Sequence, residues 1–194
     1  MGLFGNLFGG KSWTPEQAIN TLSESLIGMV RNANYRGKLR EDLPNDKKIE
    51  EYLFVCETQI LIMFLHIIGR QLENLPRNCM EQVMLGIVNK TLGVHIKQYV
   101  ENMKNKYGIH FDANNIMNRI MSEADDKNQA YYKCSDIAGG PFLIAENTVI
   151  GELIKNIRPL ISPNPMILFP LATQISEQLI STTDLTLGVF KNVR

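Results

Sequence analysis

The chain has 194 residues, 44% of them hydrophobic, with 20 acidic against 20 basic side chains, which is enough apolar material for one sizeable core. A formal charge of zero excludes a global electrostatic drive toward nucleic acid or an anionic surface. Three cysteines with no C-x-x-C pair exclude a disulfide framework or a paired-cysteine zinc site, and read as reduced thiols of a cytoplasmic protein.

Residues 1–13, MGLFGNLFGGKSW, are glycine-rich and are expected to be a flexible or docking segment ahead of a single all-helical domain spanning 14–194. Gly5 to Ser12, GNLFGGKS, matches the phosphate-binding loop pattern G-x-x-x-x-G-K-[ST]. Its context does not: a P-loop follows a buried strand and opens a helix, whereas only Met1 to Phe4 precede this one and Pro15 follows closely. No nucleotide is therefore expected. Leu3, Phe4, Leu7 and Phe8 are the candidate partner or membrane contact of this segment, since their spacing suits a short amphipathic anchor. No secretory signal precedes the domain, and no uninterrupted apolar run approaches the ~20 residues of a membrane span.

Thr14-Pro15-Glu16-Gln17 predicts a helix start with a capping box, and Ala18, Leu22, Leu26, Met29, Val30 and Ala33 carry one apolar face to about Asn34. A polar loop follows. The central element is predicted over 46–75, capped by Asn45 or Asp46. Its stripe of Leu53, Phe54, Ile60, Leu61, Phe64, Ile68, Leu72 and Leu75 leaves only a narrow polar strip at Lys48, Gln59, His66, Arg70 and Glu73, the signature of a helix covered on most sides.

A third helix is predicted from Asn78 to Tyr107-Gly108, apolar along Met84, Ile87, Leu92, His95 and Tyr99, with Gly86 and Gly93 on its outer side read as tolerated glycines, the alternative being a close helix contact there. Asp112 caps a fourth; Asp112, Asn114 and Glu123 mimic EF-hand spacing, but Met117 stands where that loop requires glycine. Gly139-Gly140-Pro141 is expected to open a fifth helix running to Ile157. A sixth is expected from Asn164 or Pro165 through Ile180, bent or delayed by Pro170, with TLGVFKNVR as an irregular or extended tail. No hairpin signal and no internal repeat occur. The fold class is all-α, a single-domain bundle of five or six helices.

The chemistry is sparse. No Glu-x-x-His, H-E-x-x-H or G-x-S-x-G pattern occurs, and no basic cluster accompanies a helix suited to DNA; no cofactor, metal or nucleic acid is expected. One pair stands out. If the second and third helices form an antiparallel hairpin, Glu57 and His95 face each other from the middle of two apolar faces. The plain reading is a buried polar pair, aided by Tyr99 or Thr91; the sharper one is a proton-transfer or ligand site. The resulting expectation is a non-catalytic interaction or scaffold protein with a protein partner or itself. The alternatives are a membrane-surface protein using the N-terminal segment, and a ligand carrier or enzyme at Glu57 and His95.

Overall fold

The computed structural model describes residues 13–73, 80–134 and 147–190. These form six α-helices and no strand: α1 (Pro15–Asn32), α2 (Asp46–Leu72), α3 (Met80–Tyr107), α4 (Ala113–Tyr132), α5 (Val149–Ile157) and α6 (Pro165–Phe190), with a 3₁₀ turn at Tyr35–Lys38 after α1. The chain is thus an all-α single-domain bundle, and α2 is its axis: every residue from Thr58 to Ile68 is buried, and α1, α3, α4, α5 and α6 all touch it.

The helix starts follow local chemistry. Thr14 accepts from the Gln17 amide at 3.2 Å while the Gln17 side chain accepts from the Thr14 amide at 3.0 Å, satisfying two amides that the helix leaves unpaired. Asn45 caps α2 through the Lys48 amide, Asp112 caps α4 through Asn114 and Asn115, and Thr148 caps α5 through Gly151. At the end of α3, Gly108 takes φ +67°, a conformation glycine adopts without Cβ strain, and returns its amide to Lys104.

Several expectations are corrected. The middle of the polar strip of α2 is covered, since Gln59 and His66 are buried, His66 against the rings of Tyr131 and Tyr132 from α4, while Lys48, Arg70 and Glu73 toward its ends keep solvent contact. By length and composition α2 could cross a membrane, with an 18-residue window of mean hydropathy 1.7 that the run-based reading missed, yet 72% of that window is buried within the bundle. The described fifth helix starts at Val149 behind the Thr148 cap, with Asn147 at φ +71° just before it; the expected opening at Gly139-Gly140-Pro141 lies outside the described residues.

The sixth helix does not stop at Ile180. Thr182, Leu185, Thr186, Val189 and Phe190 are buried on one face, and the hydroxyls of Thr182 and Thr186 donate to the Gln178 and Thr182 carbonyls one turn back, which satisfies them inside the helix. Pro170 lies within it and costs the helix one amide donor near its start.

Gly86 is not merely tolerated. A Cβ there would lie 2.5 Å from Cδ1 of Ile19, so its bareness lets α1 and α3 approach, whereas Gly93 meets nothing within 4 Å. The loop after α1 is held by α6: Gln178 donates to the Met29 carbonyl and accepts from the Tyr35 hydroxyl, and Gln174 donates to the Ala33 carbonyl. Two carbonyls left unpaired by the end of α1 are thereby satisfied.

Candidate functional site

The helices α2 and α3 run antiparallel, pairing Glu50 with Asn102, Phe54 with Tyr99 and Thr58 with His95. That register brings Glu57 and His95 together, with Oε2 3.9 Å from Nδ1. This lies beyond hydrogen-bond range. The ring's hydrogen-bond partner is instead Thr58, whose Oγ1 is 3.1 Å from Nε2. The hydroxyl is thus neither that of Tyr99 nor that of Thr91, and Thr91 Oγ1 is buried without a partner.

Burial governs both ionisations. It pushes the Glu57 carboxyl up to about 7, with the nearby Glu50 charge adding to the rise and Arg31 and Arg36 opposing it. It pushes the His95 imidazole down to about 4, against the Phe54 carbonyl and together with the Arg31 charge. At neutral pH the ring is therefore uncharged, and the two groups do not form an imidazolium–carboxylate pair.

Above this pair stands a network that the sequence reading missed. Glu50, 6% exposed, accepts from Asn102 Nδ2 and Lys106 Nζ, both at 2.9 Å, and is paired with Arg36. Burial alone would raise its carboxyl, but Lys106 and Arg36 outweigh that and hold it below the ordinary carboxylate range. Its signal was present, since Glu50 precedes Glu57 by seven residues and shares its face. Glu50, Glu57, His95, Phe54, Tyr99 and Asn102 border a cavity of about 250 Å³, below the roughly 300–1,000 Å³ of most ligand pockets. One wall is a stack of rings: Phe54 lies 4.8 Å from His95 and 4.0 Å from Tyr99, which continues to Phe111 at 5.6 Å.

A second feature is a surface. The outer side of α6 carries Met166 at 81% exposure, Ile180 at 60%, Phe169 at 58% and Leu187 at 41%. Glu177 and Asp184 share that side, and at about 100° per residue all six fall within an arc of roughly 80°. No Lys or Arg occurs in Pro165–Phe190. The stripe had a signal too: α6 is apolar on two opposite sides, and only one can face this core. The predicted contacts Leu3, Phe4, Leu7 and Phe8, the GNLFGGKS pattern and Cys79 lie outside the described residues; Cys56 and Cys134 are unpaired and buried. No protein-family model, curated protein or solved structure matches the chain.

Proposed function

We propose that this chain is a non-catalytic helical interaction protein that self-associates, two copies pairing antiparallel along the outer face of α6. The carrying observation is the exposed stripe of Met166, Phe169, Ile180 and Leu187, because four large apolar side chains aligned on one helix favour removal from water. At its centre the spacing is self-complementary. With a two-fold axis at the level of Ile175, Phe169 of one copy comes level, within one residue, with Ile180 of the other, each Glu177 comes level with a Thr173, and Met166 comes level with Asp184, while Leu187 lies beyond the partner helix's start at Pro165. Isologous two-fold pairing is the commonest arrangement of soluble oligomers.

The acidic residues argue against the rival readings of this face. Glu177 and Asp184, with no cation on the helix, are repelled by the anionic lipid surface that a membrane-contacting helix would seek. Sedimentation velocity of the full chain over a range of micromolar concentrations tests the proposal. A concentration-dependent dimer that Ile180→Glu dissociates, with the helical spectrum unchanged, is the expected result; a monomer throughout would refute it.

A further inference from the structure

The floor of the α2–α3 cleft presents two hydrogen-bond acceptors that no described residue satisfies. Thr58 has one hydroxyl proton and donates it to the Phe54 carbonyl at 2.7 Å. Toward His95 Nε2 it can therefore only accept, which places the ring proton on Nε2 and leaves Nδ1 as a bare lone pair. His95 is 8% exposed, and its bare nitrogen lies 3.9 Å from Glu57 Oε2. The Glu57 carboxyl makes no hydrogen bond among the described residues. Both groups line the cavity of about 250 Å³.

We propose that this cleft binds a small primary amine, whose ammonium group lies between Glu57 Oε2 and His95 Nδ1 and donates a hydrogen bond to each. A nitrogen about 2.8 Å from both acceptors would see them at an angle of about 90°, which two N–H bonds of one tetrahedral ammonium can serve. A metal ion does not fit. At the ~2.1 Å of a metal–nitrogen or metal–oxygen bond the same two atoms would subtend about 140°, and the described residues contain no group of three His, Cys, Asp or Glu side chains able to hold one.

Among the described residues no Lys or Arg makes direct contact with the Glu57 carboxyl, though Arg31 and Arg36 act on it from a distance. Arg36 and Lys106 are engaged by Glu50, and among the described residues the only group within ion-pair distance of Glu57 is the uncharged His95 ring. The groups that face its carboxyl are Arg31 from α1, Tyr35 and Arg36 from the 3₁₀ turn, Glu50 and Cys56 from α2, and His95 from α3. Leu53, Phe54 and Tyr99 supply apolar walls for a short carbon chain. The volume limits that chain to a small one.

The proposal makes binding proton-linked. Below pH 7 Glu57 is largely protonated, so seating an ammonium expels a proton, and affinity should fall about tenfold per pH unit below that value. The test is calorimetric titration of the full chain with hexylammonium chloride at pH 6, in two buffers of different ionisation heat, with 1-hexanol as the neutral control. Saturable binding is expected, with a heat that differs between buffers by release of about one proton. Glu57→Gln, which keeps the size and loses the charge, should weaken binding by about tenfold or more. Absence of saturable heat at millimolar amine, equal binding by hexanol, or unchanged affinity in a folded Glu57→Gln variant would each overturn it.

Discussion

Glu57 and His95 bias stability against pH in opposite directions. The Glu57 carboxyl is raised from 4.5 to about 7, so the folded state holds a proton that the unfolded state releases; its contribution is full below pH 4.5 and is lost as pH rises through 7. The two buried imidazoles, His95 and His66, are depressed from 6.5 to about 4, so their contribution is full above pH 6.5 and is lost as pH falls toward 4. The three together give a maximum near pH 6.5. Urea titrations from pH 4 to 9 should show that maximum, and Glu57→Gln should remove the alkaline decline, leaving the variant about 2–3 kcal/mol more stable than wild type above pH 7. Parallel profiles for the two proteins would mean that Glu57 is solvated. Thr58 offers a second check, because it is the acceptor that holds the His95 ring. Thr58→Val keeps the shape and strands the Nε2 proton, and should cost about 1–3 kcal/mol in the same titration; a neutral change would show that the ring is held by packing alone. The pairing of Glu57 with His95 was legible in the sequence because both sit on apolar faces of facing helices. The role of Thr58 was not, since a hydroxyl that back-bonds to its own helix carries no periodic signal.

Among the helices, α1 and α3 make the most extensive contact, and one missing side chain permits it. Gly86→Ala would gain helix propensity of about 1 kcal/mol but places its methyl 2.5 Å from Cδ1 and 3.0 Å from Cγ1 of Ile19. Overpacking of that kind costs about 1–3 kcal/mol, so the variant should be neutral to destabilised, and adding Ile19→Val, which deletes Cδ1, should recover the difference. Gly93→Ala meets open space and should stabilise by up to about 1 kcal/mol. Equal thermal shifts for the two alanine variants would contradict the account of this contact. Helix starts were the most legible elements, because Thr14, Asn45 and Asp112 satisfy orphan amides within their own first turn. The end of α6 was not read, although Thr182, Leu185, Thr186 and Val189 repeat at helical spacing; their β-branching and Gly188 masked the period. Gly86 and the covered Gln59 and His66 depend on which helix lies opposite, and that is a property of packing rather than of local sequence.

The whole molecule is α2 wrapped by the other helices, with one contiguous core. A helix apolar all round demands cover on every side, which is why the architecture was readable from Lys47 to Leu75 while the working surfaces were not. The α6 stripe becomes visible only once the opposite side of that helix, through Leu171, Ile175, Leu179 and Leu185, is known to be buried. The central functional claim is that this stripe meets its own copy in antiparallel register. The most direct measurement mixes two single variants, Phe169→Cys and Ile180→Cys, each in a Cys79→Ser background that leaves the buried Cys56 and Cys134 in place, and reads disulfide formation under mild oxidation. A Phe169→Cys to Ile180→Cys heterodimer is expected as the dominant cross-linked species, lost when Met166→Glu is added, which sets a second carboxylate level with the partner's Asp184; homodimeric cross-links in equal yield, or none at concentrations where wild type is dimeric, would contradict the antiparallel register.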